Sequence, residues 1–239
     1  MYNIDSDLKF LFDCSNDQIK LLCDTLTHDL KDGKPRYTET LSNSPAYIAY
    51  YPHEMSKIVP AIINEYSLFG GNTIVNMFRG SGVSYKEILC DVCKYFKIKC
   101  NKADSVELME LALLQIVAKE MVDNIKKQSN SDDSTTELIN NLEKFCKGEL
   151  SDYKSFPSMI SCILLSFAPR LTGKYLVRAV GGKVIWSIPL GPIAWISYAW
   201  MISDIAAPAF RVTIPATIII ACLRCIYNNK AMEEFDITD

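Results

Sequence analysis

The chain of 239 residues predicts an all-α protein, with an N-terminal multi-helix domain over residues 1–150 and a C-terminal apolar helical module over residues 151–239. Three observations favour this class. Helix-capping motifs precede apolar residues that recur at helical spacing. No alternating apolar and polar pattern of useful length predicts a strand. Beyond Ser155 the composition turns apolar and basic, which marks a second unit.

The first half of the chain predicts a series of capped helices. Ser15–Gln18 and Ser84–Glu87 both have the spacing of a capping box, in which a serine and an acid or amide three residues later satisfy each other's backbone N–H groups. Apolar residues follow each box at i, i+3, i+4 and i+7, as on one face of a helix. Ser44–Pro45 predicts another helix start, because proline at the first helical position lacks an N–H that would be unpaired anyway.

Three further helices are expected. One runs through Met55–Tyr66, is bent at Pro60 and ends at Gly70–Gly71, since proline disrupts a helix interior and glycine suits its end. A long apolar helix extends to about Lys127. A shorter one covers Glu137–Lys147.

The stretch FGGNTIVNMFRGSGVSYKE combines glycines with polar residues. It fails the GxxxxGK[ST] spacing of a phosphate loop and lacks GxGxxG after a strand, so we expect no nucleotide site. We expect the glycines to form backbone turns: Gly70, Gly71, Gly80 and Gly82. The candidate polar functional surface consists of Asn72, Thr73, Asn76, Arg79, Tyr85, Lys86 and Glu87. No residue is predicted to be catalytic, although an enzyme of unknown class that uses the Arg79–Glu87 region remains an alternative.

Cysteines and histidines predict no metal site and no cofactor. The pairs Cys90–Cys93 and Cys222–Cys225 lie too far apart for a zinc ribbon, and cysteines at i and i+3 in a helix usually pack as small apolar groups. The two histidines, His28 and His53, stand outside any HExxH frame. Nine scattered cysteines without a signal peptide suit a reducing cytoplasm.

The residues also carry a family resemblance. The stretches DLKFL, DGKPRYTE, FGGNTIVNMFRGSGVSYKEILCDVC and GPIAWISYAWMISDIAAPAFRVTIPATIIIACLR, between Asp7 and Arg224, resemble the YaaW-like family of uncharacterised bacterial proteins. The resemblance implies a distant grouping with the ubiquinol–cytochrome c chaperones, which are all-helical, membrane-associated assembly factors without a catalytic centre. No respiratory-complex motif supports carrying over their substrate.

The last third of the chain favours contact with lipid. The net charge of −3 gives no global basic field for nucleic acid, but residues 156–228 carry six cations and one anion, which suits an anionic membrane surface. Val184–Ser203 is twenty residues long without a charge, and a helix of that length covers about 30 Å, the thickness of a bilayer core. The preceding cations hold that end on the cytoplasmic side. The residues expected to contact the membrane are Trp186, Trp195, Tyr198, Trp200, Arg170, Lys174, Arg178 and Lys183.

A second apolar stretch, Val212–Leu223, is too short to span a bilayer and is interrupted by Pro215. The alternative is therefore that both stretches form the buried core of a soluble helical domain. In that arrangement Asp204 and Arg211 form a buried polar pair around the turn at Pro208.

These features predict a non-enzymatic, membrane-associated helical protein. It would couple a cytosolic recognition domain to a lipid-contacting or inserting C-terminal module, with perturbation of the membrane as one form of that activity. We expect it in the cytoplasm, peripheral to the inner membrane or conditionally inserted in it. The alternative is a soluble chaperone or assembly factor that binds an apolar client helix. Nucleic acid is not an expected partner, and assembly into a homo-oligomer is left open.

Overall fold

The computed structural model describes residues 4–30, 32–70, 83–101, 103–128, 133–149, 160, 163–164 and 209–236. These residues form helices and contain no β-strand, which confirms the all-α class. Short 3₁₀ helices cover Ser6–Asp13, Leu41–Asn43 and Met55–Lys57. The α-helices are α1 (Asn16–Thr27), α2 (Pro45–Tyr50), α3 (Val59–Gly70), α4 (Tyr85–Tyr95), α5 (Val106–Gln128), α6 (Asp133–Cys146) and α7 (Phe210–Asp236).

The predicted helix starts are confirmed by their hydrogen bonds. In the Ser15–Gln18 box, Gln18 N donates to Ser15 Oγ at 3.4 Å and Ser15 N donates to Gln18 Oε1 at 2.8 Å. The Ser84–Glu87 box makes the same two bonds at 3.3 and 3.4 Å. Ser44 Oγ accepts from the N–H of Tyr47, with Pro45 at the first position of α2. Local sequence therefore determines where these three helices begin.

The predicted bend at Pro60 is wrong. A 3₁₀ helix occupies Met55–Lys57, and α3 begins afterwards at Val59, so Pro60 lies in the first helical turn. A proline there removes no helical hydrogen bond, because the first N–H groups of a helix have no partner within it. The helix reaches Gly70, where a Cβ atom would overlap the Ile88 side chain of α4. Glycine thus allows α3 and α4 to approach each other closely.

Helix α7 lies at the centre of the body and packs against α1, α3, α4 and α5. It continues through Pro215, so the predicted interruption at this proline is wrong. Its residues Val212–Leu223 are buried. For this stretch the core alternative is confirmed, because a helix that is apolar on all sides must be covered on all sides. The predicted division near residue 150 therefore does not separate α7 from the core of the preceding helices.

Helices α5 and α6 pack against each other on another side of the body. Gly148 follows α6 with a φ of +70°, a left-handed conformation that suits glycine at a helix end. Beyond it, Ile160, Ile163 and Leu164 are again buried in the core. The chain is thus fixed to the core both before residue 165 and after residue 208.

Candidate functional site

A cluster of buried polar groups joins four separate segments of the chain, and we call it the buried junction. It consists of Asp7, Tyr85, Glu110 and Arg224, from the first 3₁₀ helix, α4, α5 and α7. The hydroxyl of Tyr85 donates to Glu110 Oε1 at 2.5 Å. The Nε of Arg224 donates to Glu110 Oε2 at 2.8 Å, and its Nη2 donates to the backbone oxygen of Asp7 at 2.6 Å.

The junction is shielded from solvent. The side chains of Arg224 and Glu110 are only 11% and 3% exposed. The guanidinium carbon of Arg224 lies 4.3 Å from the ring centroid of Phe10 and 5.8 Å from that of Tyr85, within the range of cation–π attraction. Burying these charges is costly, so the ion pair and its additional hydrogen bonds must offset the lost hydration.

Burial determines the protonation behaviour of the junction. It raises the pKa of Glu110 above the ordinary value, and this effect outweighs the opposing attraction of Arg224 and the hydrogen bond from Tyr85. Burial raises the pKa of the Tyr85 hydroxyl as well, with a further contribution from Glu110. For Arg224, burial favours the neutral form, but Glu110 and Tyr85 raise its pKa above the usual value. The arginine therefore stays charged.

Two further hydrogen bonds near the junction connect separate segments of the chain. The hydroxyl of Tyr66 in α3 lies 2.7 Å from Thr217 Oγ1 in α7, where both groups are buried. At the start of α4, the N–H of Tyr85 donates to Asp5 Oδ2 at 2.7 Å. The polar groups of this region are thus paired with groups on other segments of the chain. Such an arrangement suits holding α7 in one position, because a buried polar network specifies a unique packing.

The structure corrects the predicted role of Tyr85 in the polar surface. This side chain is completely buried, and its hydroxyl belongs to the junction. Lys86 is half-buried, and Glu87 is exposed but serves in the helix cap. Gly70 is the last residue of α3 in the described part of the chain. The capping box places Tyr85 at the first helical position, where it points inward between α5 and α7.

The remaining candidate residues fall mostly outside the described part of the chain. These are Asn72, Thr73, Asn76, Arg79, Gly71, Gly80, Gly82, Trp186, Trp195, Tyr198, Trp200, Arg170, Lys174, Arg178, Lys183 and Asp204. Their predicted roles stay predictions. Arg211 is described and exposed at the start of α7, whereas the sequence predicts a buried pair with Asp204.

The sequence reasoning missed Glu110 and Arg224. A signal for Glu110 exists, since it lies within the apolar face formed by Val106, Leu113 and Val117 in α5. A carboxylate at such a position needs a buried partner. Arg224 follows directly after the uncharged stretch that ends at Leu223, which is the corresponding signal for the cation. Their pairing depends on the packing of α5 against α7, which sequence spacing does not reveal.

Within the described residues, no three histidine, cysteine or acidic side chains are arranged so that they could hold a metal ion. His28 ends α1 as its C-cap, and its Nδ1 lies 2.8 Å from Thr27 Oγ1. His53 is exposed. Cys222 is buried in α7, and burial raises its pKa well above the ordinary value.

Within the described residues, one helix is long and apolar enough to cross a membrane: Phe210–Asn229 of α7. Of its most apolar window, 67% is buried inside the body. Length and composition of this kind are shared by core helices of soluble proteins, so the helix is weak evidence for membrane association.

Fold and junction together define an all-α protein whose terminal segments meet at a buried ion pair. A family model described as a domain of unknown function (DUF3944) matches residues 2–37, which include the first 3₁₀ helix and α1. The chain belongs to the UPF0174 family of uncharacterised proteins.

Three relatives illustrate this membership. A UPF0174 protein of Helicobacter pylori strain J99 is 31% identical over 93% of this chain and 92% of its own length. A UPF0174 protein of Helicobacter pylori strain 26695 is 30% identical over 78% of this chain and 96% of its own length. UPF0174 protein YaaW of Escherichia coli strain K12 is 30% identical over 93% of this chain and 95% of its own length. The resemblance to the YaaW-like family is thereby confirmed, but no relative named here is described as a chaperone. No solved structure matches the chain.

Proposed function

We propose that this is a non-enzymatic protein of the membrane surface, in which a helical body presents the segment 165–208 to anionic lipid. The observation that carries the proposal is the uncharged run Val184–Ser203, preceded by four cations without an acid. A run of this length matches the bilayer core, and cations beside it are attracted to anionic headgroups.

The burial of α7 in the core supports this proposal. The other apolar stretch of the C-terminal region is already used to fill the core, against α1, α3, α4 and α5. The described residues thus already form an apolar core to which α7 contributes. Buried residues precede the segment at Ile163 and Leu164, and α7 follows it from Phe210. Both ends of the proposed lipid-binding segment are thus attached to the same body.

Flotation of the purified full-length chain with vesicles tests the proposal. We expect the protein to float with vesicles that contain anionic phosphatidylglycerol and to remain at the bottom with phosphatidylcholine alone. Replacing the four preceding cations by glutamine (Arg170, Lys174, Arg178 and Lys183) should abolish flotation. Replacing the three tryptophans by serine (Trp186, Trp195 and Trp200) should weaken it.

A matched variant separates local from overall charge. It replaces four lysines that are exposed on the body by glutamine: Lys9, Lys99, Lys119 and Lys127. The change in net charge is the same, so flotation should persist if the lipid contact lies in the C-terminal segment. Equal loss in both quadruple variants, or no flotation of the unmodified chain, would contradict the proposal. Capture of a defined apolar helix without any dependence on lipid would favour the client-binding alternative.

A further inference from the structure

The end of α4 brings three cysteines together. Cys90 and Cys93 lie one helical turn apart on α4, which ends at Tyr95. Lys97 then adopts a φ of 58°, a left-handed conformation that reverses the chain. The N–H of Ile98 donates to the backbone oxygen of Cys93 at 2.9 Å, as at a helix C-terminus that turns back on itself. This turn returns Cys100 alongside the helix.

Short sulfur contacts define the cluster. The thiol of Cys100 donates to the backbone oxygen of Cys90 at 3.9 Å. Cys90 Sγ lies 3.7 Å from the thioether sulfur of Met109 in α5, and Cys93 Sγ lies 3.9 Å from the backbone oxygen of that methionine. Cys90 and Cys100 are half-buried, whereas Cys93 is completely buried. The thiol of Cys100 therefore lies against Cys90 and interacts with the Cys90 thiol, while Cys93 is buried one helical turn away.

We propose that Cys90 and Cys100 are a redox modification site, at which a small-molecule disulfide oxidises the two thiols to an intramolecular disulfide. Two features argue for this pair. Cys100 follows a turn outside regular helix, so its side chain can adjust to the geometry of a disulfide. Cys93, the other candidate partner, is sealed from an oxidant in solution.

The reaction is balanced by two exchange steps. One cysteine, as thiolate, attacks a sulfur of the oxidant, and the oxidant's own S–S bond breaks to release one small thiol. The second cysteine then attacks the resulting mixed disulfide and releases the other small thiol. The protein loses two electrons and two protons, which the oxidant takes up as two thiols. Burial and the adjacent Cys100 raise the pKa of Cys90. We therefore expect the overall rate to increase from neutral to mildly alkaline pH.

Treatment of the folded full-length chain with dithiodipyridine tests the proposal, because each exchange releases one coloured thiopyridone. This oxidant is a disulfide, and thiol exchange leaves the thioether of Met109 unchanged. We expect a peptide that links Cys90 to Cys100, a mass lower by two hydrogen atoms, and full reversal by a dithiol reductant. Labelling of the buried Cys23 and Cys93 must stay absent, which shows that the chain remains folded.

Serine variants provide the controls. Cys90→Ser and Cys100→Ser should each lose the linked peptide, whereas Cys14→Ser, which alters another half-buried thiol, should keep it. A linked Cys93–Cys100 peptide would overturn the assignment of the pair. Stable mixed disulfides on both Cys90 and Cys100 of the folded chain, without a link between them, would overturn the site. The peptide map of the unaltered chain decides the matter even where a serine variant fails to fold.

Discussion

Helices α4 and α7 lie against each other, yet they are built in opposite ways. Helix α4 begins with a capping box, buries one face and exposes charged residues such as Asp91 and Lys94 on the other. Helix α7 is buried all along Val212–Leu223 and then carries one arginine into the interior. Local sequence is sufficient to define α4, whereas the position of α7 depends on partners from distant parts of the chain.

The largest expected effect concerns the ion pair that holds α7. Glu110→Ala leaves the cation of Arg224 without its counter-ion in a nearly solvent-free site. We expect the free energy of unfolding to fall by about 3–5 kcal/mol, the usual cost of breaking a buried ion pair. Urea denaturation followed by far-UV circular dichroism measures this change.

Apolar replacement of Tyr85, Glu110 and Arg224 together is the control for this experiment. Combining Glu110→Leu, Arg224→Met and Tyr85→Phe removes the ion pair and the tyrosine hydroxyl that bonds to it at once. We expect most of the lost stability to return, because well-packed apolar residues often replace a buried ion pair at no net cost. A triple variant as unstable as Glu110→Ala would show that the unpaired charge of Arg224 does not cause the loss.

The pH dependence of stability follows from Glu110. Its pKa is raised in the folded protein, so the folded state binds the proton more tightly than the unfolded state does. The contribution of this carboxyl to stability is therefore greatest in acid and declines as pH rises from its ordinary value of 4.5 upward. Relative to Glu110→Gln, the natural chain should lose stability between mildly acidic and neutral pH. Parallel urea titrations of both proteins check the sign, and a gain with rising pH would contradict it.

The contact of α4 with α3 gives the next effect. Gly70→Ala places a methyl group into the Ile88 side chain, and overpacking of this kind costs about 1–3 kcal/mol. The better helix propensity of alanine offsets about 0.5–1 kcal/mol of that cost. Thermal unfolding should thus show a lower midpoint for Gly70→Ala. Adding Ile88→Val removes Cδ1, one of the two carbons that the new methyl group overlaps, and should recover part of the loss. Strictly additive effects would exclude a clash.

The cap of α4 is expected to contribute less. Ser84→Ala removes the oxygen that accepts from the N–H of Glu87, and the loss of such a cap costs about 1 kcal/mol. Ser84→Asp retains an acceptor and should remain close to the natural stability. The equivalent Ser15→Ala change in α1 should cost a similar amount, because the same two bonds are made there. Urea denaturation midpoints of the three variants compare these effects directly.

The contrast between local motifs and distant contacts explains which features the sequence predicts. The starts of α1 and α4 depend on residues three positions apart, and that of α2 on the adjacent Ser44 and Pro45, so local motifs are sufficient to locate them. The sequence predicts a bend at Pro60, because nothing local shows that α3 begins only at Val59. The sequence alone does not predict that Tyr85 is buried, since its burial depends on contacts with α5 and α7.

The same reasoning applies to the apolar stretches. Hydropathy and length describe Val212–Leu223 equally well as a core helix or as a membrane-active one. The difference lies in whether other helices cover it, and α1, α3, α4 and α5 do so. The bond between Arg224 and Glu110 joins residues that lie 114 positions apart, so no short motif contains it. The only signal in the sequence is that Glu110 and Arg224 each lie beside apolar residues.

The smallest effect is expected for the exposed ion pair of α4, in contrast to the buried pair of Arg224 and Glu110. Lys94 Nζ and Asp91 Oδ1 lie 2.8 Å apart on α4, close to the separation of Arg224 and Glu110, but these side chains are 69% and 53% exposed. Water and salt screen such a pair, and holding two long side chains in one geometry costs entropy. Lys94→Ala should therefore leave the urea midpoint unchanged within error, at both low and high salt. A loss comparable to that of Glu110→Ala would show that geometry alone determines the strength of an ion pair in this protein, whatever its burial.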